Sequence, residues 1–178
     1  MERDAPFASV LAVFAHYGFR KASMEDLARA AGISRQTLYN RFKTKDAVLG
    51  WAVDGFVRDA KARASAALSA EGASPADCLH DAFTRWTGDH VALLHDAPHG
   101  AEILDLGIAS LRRSEADPEA EFEAEVARFL TERGVCRTKK EAADKTFLLL
   151  MSAKGLLLKS RTREEFQAGM ARVLRAAI

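Results

Sequence analysis

Helix punctuation constrains this chain more than any other feature. Phe7, Val10, Leu11 and Phe14 recur at the i, i+3, i+4, i+7 spacing that lines one face of a helix. No stretch shows the sustained apolar/polar alternation of a strand, and hairpin-forming turn pairs are absent. Helix starts are marked by Ser23 with Asp26, Ser74 with Asp77, Thr138 with Glu141 and Thr162 with Glu165. In each, a hydroxyl can accept from an orphan backbone N–H while an acid three residues on reaches back. Asp117 before Pro118 adds another start, because proline at the first helical position gives up an N–H that has no helical partner anyway. Stops are expected at Gly18, Gly32, Gly72, Gly134 and around Pro98. The pattern predicts an all-α protein of about nine helices, three short ones by residue 43 and longer ones after it. One long helix should open at Thr44-Lys45-Asp46 and run to about Ala70, stiffly joining residues 1–45 to residues 46–178.

Composition narrows the class further. Hydrophobic residues make 48% of the 178 and charged residues 29%, which is the balance of a globular chain rather than a disordered one. The longest apolar run, Phe147 to Leu158, is interrupted by Ser152, Lys154 and Gly155 and falls short of the roughly 20 residues a bilayer needs. The start, Met1-Glu2-Arg3-Asp4, has no apolar signal core, so a soluble, cytoplasmic protein without a membrane partner is expected. Two cysteines, Cys78 and Cys136, make neither a disulfide framework nor a metal-ligand spacing, and as isolated residues in helices they fit buried hydrophobes better than a thiol sensor. The net charge of +1 hides an asymmetry: residues 1–45 hold eight basic side chains against four acidic ones, and the remainder is mildly acidic. A basic head on an acidic body suits a polyanionic partner.

Residues 23 to 42 carry the functional signal. Ser23 caps a helix of about two turns, Gly32 permits a sharp exit, Ile33 can plug the angle and Ser34 caps a second helix from Arg35 to Phe42. That second helix sends Leu38 and Phe42 to one side for burial and Arg35, Gln36, Thr37, Tyr39, Asn40 and Arg41 to the other. Two short helices, a glycine turn and a polar outer face describe a helix-turn-helix. Its chemistry suits DNA: arginine can bond a guanine edge bidentately, glutamine and asparagine an adenine edge, and threonine or tyrosine a phosphate or a thymine methyl.

The run from Tyr17-Gly18-Phe19 through Ser23, Leu27-Ala28, Gly32-Ile33-Ser34, Thr37-Leu38-Tyr39 and Phe42 to Lys45 and Val48-Leu49 resembles the N-terminal domain of the tetracycline-repressor (TetR) family of bacterial transcriptional regulators. The resemblance covers about residues 7 to 50. It implies a homodimer whose two heads bind a palindromic double-stranded DNA operator, with a small-molecule effector in the body setting the spacing between heads. A repressor released by its ligand is the expected form, with no enzymatic activity and no cofactor. Carried over by position, the DNA contacts fall on Arg35, Gln36, Thr37, Tyr39, Asn40 and Arg41, with backbone contacts from Ser23, Thr44 and Lys45. Tyr39 and Lys45 resemble the family's phosphate contacts, Arg35 and Gln36 its base readers. On that reading Lys45→Ala weakens binding to all sequences and flattens its salt dependence. The segment before Phe7 departs from a basic minor-groove arm, since Arg3 stands between Glu2 and Asp4.

The same resemblance implies a ligand pocket in residues 46–178, where Phe83, Trp86, Leu93, Leu94, Ile103 and Phe122 are candidates. The last two helices are the expected dimer surface, because the run at 147–151 with the leucines at 156–158 is more apolar than one helix face buries. Phe147, Leu150, Met151, Leu158, Phe166, Met170, Val173 and Leu174 are its candidates. From another class, His90, His95, Asp96, His99 and Glu102 cluster within 13 residues, and Asp77/His80 and Asp96/His99 stand one turn apart. A helical small-molecule or metal sensor without DNA binding, or a small metal-dependent enzyme, is the alternative. Pro98 interrupts any helix that would carry the cluster, so no metal is expected.

Overall fold

Six of the side chains that mark helix starts accept the hydrogen bond that stops the preceding extended backbone and begins the helix. In the computed structural model, which describes residues 6–113 and 117–178, Ser23 accepts from the Asp26 N–H and Ser34 from that of Thr37. Ser74 accepts from Asp77, Asp117 from Ala120, Thr138 from Glu141 and Thr162 from Glu165. The acids behave in two ways. Glu141 and Glu165 reach past the cap to the N–H groups of Arg137 and Arg161, at 3.0 and 2.8 Å, whereas Asp26 and Asp77 are too short and instead accept from the cap hydroxyls. Each cap of this kind is worth about 1 kcal/mol.

These starts open six of the helices, and the described residues run in the order α1 (Pro6–Tyr17), α2 (Met24–Ala30), α3 (Arg35–Arg41), α4 (Lys45–Leu68), α5 (Pro75–Trp86), α6 (Val91–His95), α7 (Gly100–Leu111), α8 (Pro118–Glu132), α9 (Lys139–Lys159) and α10 (Arg163–Ala177), with a 3₁₀ turn at Gly88–His90. Among the described residues there is no strand, so the fold is all-α as expected. The helix beyond the expected nine is the five-residue α6, which ends just before the interruption at Pro98.

The chain divides into two compact units. The described part of the first takes in residues 6–58 and 93–113, that of the second 59–92 and 117–178. The expected division at residue 45 cuts the first unit, whose core includes Val48, Leu49, Ala52 and Val53 from the first half of α4 and Ile103 from α7. In that core Val10, Phe14, Leu27 and Leu38 are fully buried, and Phe14 stacks on Phe19 at 5.6 Å between ring centroids. In the second unit α5, α8, α9 and α10 surround Leu79, Phe83, Phe122, Leu149, Phe166 and Met170, all fully buried. Ion pairs join its helices at the rim: Lys154 with Glu119 at 2.5 Å, Arg163 with Asp89 at 2.6 Å, and Lys61 with Glu121.

Candidate nucleic-acid interface

The turn between α2 and α3 follows from one residue. Gly32 has φ +70°, a left-handed conformation that a side chain would strain, and it lets the Ile33 N–H return to the Ala28 carbonyl at 3.0 Å. Ile33, half-buried, then packs against the core as the plug between the helices. Ser34 restarts the helix, and its hydroxyl also meets that of Thr37 at 2.8 Å.

Once α3 is docked by Leu38, which is 0% exposed, its remaining side chains have no room inside. Phe42, just past the helix end, tilts onto Trp51 at 5.3 Å and holds the far end. Arg35, Gln36, Thr37, Tyr39, Asn40 and Arg41 are all exposed, so none of the six residues expected to face DNA is buried. They are also organised among themselves. The Arg35 guanidinium lies 5.4 Å from the centre of the Tyr39 ring, and the Gln36 amide donates to the Asn40 carbonyl oxygen at 3.0 Å.

Around this surface the basic residues are not equivalent. Arg29 on α2 is paired with Glu25 at 3.7 Å and Asp26 at 3.5 Å, which partly cancels its field. Lys45 differs most from expectation. Its ammonium donates to the carbonyls of Phe19, Arg20 and Ala22 at 2.9, 2.7 and 3.1 Å and sits over the Phe19 ring. An ammonium has three donors, and all three are engaged within the protein, so the phosphate contact expected of this side chain is replaced by a brace between the α1–α2 turn and the start of α4. The hydroxyls of Ser23 and Thr44 likewise accept from N–H groups, those of Asp26 and Ala47, at their helix starts. Arg3 and the rest of the N-terminal arm lie outside the described residues.

The other expected sites disperse. Phe83, Trp86 and Phe122 come together in the second unit, with Phe122 5.5 Å from Phe83 and 4.8 Å from Trp86. Leu93, Leu94 and Ile103 belong to the first unit, so the six expected ligand residues do not share one core. A hollow of about 810 Å³ in the second unit is lined by others, among them Asp77, His80, Val135, Leu174 and Arg175. Among the eight expected dimer residues, Leu150, Phe166, Met170 and Leu174 are buried in the chain's own core and cannot touch a second copy. Val173 is half-buried, and Phe147, Met151 and Leu158 are exposed. Leu148, outside the expected set, is exposed beside them.

The histidine cluster also separates. His99 Nδ1 meets Glu102 at 2.9 Å, its backbone N–H donates to the Ala15 carbonyl, and its ring packs where Gly18, at φ +79°, has no side chain. The His80 Nε2 faces the Gln167 carbonyl at 3.0 Å. His90 lies on the 3₁₀ turn with its Nε2 out of reach of solvent. Burial lowers its pKa to about 4, with Arg63 adding to the shift and Asp89 opposing it. Among the described residues no group of three or more His, Cys, Asp or Glu is placed to hold a metal ion. Cys78 and Cys136 are both buried, and burial raises the Cys136 thiol, with Glu141 adding to the shift.

Residues 9–50, which span α1, α2, α3 and the start of α4, match the family model described as bacterial regulatory proteins, tetR family. The head of this chain is therefore similar to that of the family. Solved structures extend the likeness of fold to the whole chain. A transcriptional regulator from Rhodococcus sp. RHA1 is 21% identical with a TM-score of 0.66, covering 99% of this chain and 95% of its own. The TetR-family regulator PfmR from Thermus thermophilus is 18% identical with a TM-score of 0.60, covering 97% of this chain and 98% of its own. The Q116A variant of TetR from Acinetobacter baumannii AYE, solved in complex with minocycline, is 18% identical with a TM-score of 0.55, covering 99% and 96%. No curated protein matches the sequence. The tetR-type fold therefore holds for the body as well as the head, and no helix among the described residues is long and apolar enough to cross a membrane.

Proposed function

We propose that this protein is a ligand-responsive transcriptional regulator, a repressor that binds a palindromic operator as a homodimer and lets go when a small molecule occupies its body. The observation that carries this reading is the outer surface of α3, where Arg35, Gln36, Thr37, Tyr39, Asn40 and Arg41 stand exposed behind a single internal residue, Leu38. A seven-residue helix with that division fits a major groove, with its first turn nearest the base edges. Tyr39, Arg41, Ser23 and Thr44 supply backbone contacts, and Lys45 holds the head in shape. Residues 1–45 are the DNA-binding part, with the first half of α4 completing their core, and sensing and pairing fall to the rest of 46–178. The protein acts in the cytoplasm as a binding protein and not as an enzyme.

Pairing through α9 would present two heads to half-sites about one helical turn apart. The exposed Phe147, Leu148, Met151 and Leu158 support this, since a helix that already fills its own core seldom leaves so many large apolar side chains in water. The minocycline-bound relative of the same fold supports a small-molecule effector, and the aromatic cluster of Phe83, Trp86 and Phe122 is the place proposed for it. The metal-sensor alternative has no favouring observation.

A gel shift with the duplex upstream of the protein's own gene tests the reading. Wild type retards it and Arg35→Ala binds about 5- to 150-fold more weakly, the equivalent of about 1–3 kcal/mol for a lost base contact. Equal retardation by the two proteins, or none by either, contradicts it.

A further inference from the structure

We infer that Asn40 reads an adenine in each operator half-site and that Gln36 positions it to do so. The inference rests on the DNA-binding reading above and deepens it by naming the base. Gln36 and Asn40 stand four residues apart on α3, both exposed, with the Gln36 Nε2 donating to the Asn40 Oδ1 at 3.0 Å. Two of their neighbours are engaged elsewhere, Arg35 over the Tyr39 ring and Thr37 with the Ser34 hydroxyl. The amide pair therefore has a fixed partner within itself and a free approach from outside.

The bond matters because a lone exposed amide has no fixed orientation. Turned through 180° about its last torsion, asparagine exchanges donor for acceptor at little cost. Gln36 removes that freedom by engaging the Asn40 oxygen. The oxygen keeps a second lone pair and the Asn40 Nδ2 keeps its donors, so the amide offers one acceptor and one donor side by side in a set order. In the major groove only adenine offers the complement, an N6 donor beside an N7 acceptor. Guanine presents two acceptors there, which would set its O6 against the Asn40 oxygen, and cytosine gives a donor alone.

Selection of bound duplexes from a random-sequence pool, followed by competition binding of the selected site, tests this with wild type, Asn40→Ala and Gln36→Met. Wild type selects an adenine at one position of each half-site and discriminates there by about 5- to 150-fold, the range for a good bidentate pair of about 1–3 kcal/mol. Asn40→Ala loses the preference at that position and keeps it at the others. Gln36→Met, which keeps the length of the side chain but not its donor, keeps the helical circular dichroism of wild type. Its discrimination at the same position falls several-fold. A merely structural role for Gln36 would weaken every sequence alike. The inference is overturned if wild type selects sites in which no adenine preference depends on Asn40, or if Gln36→Met discriminates as well as wild type. Failure of wild type to retain any duplex overturns the DNA-binding reading and this inference with it.

Discussion

Two helices of this protein end with exposed faces, and they could hardly be less alike. α3 has seven residues, buries Leu38 alone and turns six polar side chains outward. α9 has 21, buries Ala142, Thr146, Leu149, Leu150 and Ala153, and still shows Phe147 at 60% and Leu158 at 65% exposure. On α3 the exposed groups donate and accept hydrogen bonds and include two arginines, which suits a hydrated polyanion. On α9 they are apolar, and what removes them from water must be apolar too. The difference teaches that the two surfaces ask for different partners, a duplex for one and a second copy of the chain for the other.

The contrast can be broken most severely from inside. Leu38→Ala empties the one buried position of α3 and is expected to cost about 2–5 kcal/mol of unfolding free energy, read by urea denaturation. Phe147→Ala on α9, exposed in a single chain, should leave the unfolding of the isolated protomer almost unchanged. Phe147→Glu should instead abolish the dimer seen by light scattering at micromolar concentration while the helical circular dichroism stays intact.

Acid separates the units in a second way, because His90 belongs to the second one. Its depressed pKa means that the folded protein holds this ring neutral while the unfolded chain protonates it below about 6.5. Between that value and about 4 the unfolded state binds more protons, so the contribution is complete above pH 6.5 and is lost as the pH falls through the folded value. Going from pH 7 to 5 should cost about 2 kcal/mol of stability through this group. The loss should be absent in His90→Asn, measured by the same denaturation at both pH values.

The smallest effect concerns Lys45. With its donors on three carbonyls, Lys45→Met should weaken DNA binding by loosening the α1–α2 turn, by about 1 kcal/mol, yet leave the slope of log K against log salt where it was. A slope lowered by about one would return Lys45 to the phosphates.

Much of the head is legible in the sequence because its rules are local. A cap hydroxyl acts on an N–H three residues away, a positive-φ glycine on its own backbone, and the division between Leu38 and its neighbours on a fixed helical period. All of these are contained in residues 23–42. The Gln36–Asn40 bond is within reach of the same rule, as an i, i+4 pair of amides. What cannot be read depends on distant chain. Nothing near Lys45 in sequence signals that carbonyls 23 to 26 residues earlier will surround it. In the body, α9 is apolar on more than one side, so its period does not say which residues face inward. Leu150, expected at the surface, lies in the core, while Leu148, outside the expected set, is exposed. The aromatic residues expected in one pocket obey helical spacing equally well in either unit, and only the packing divides them from the aliphatic ones.

Hydroxyl-radical footprinting of the protein on its operator addresses the outward face of α3 and its duplication together. Two protected tracts related by a dyad and centred about 10–10.5 base pairs apart, both lost with Arg35→Ala, are the expected result. A single unpaired tract, or a footprint that Arg35→Ala leaves intact, would show that α3 does not carry the protein onto DNA in pairs.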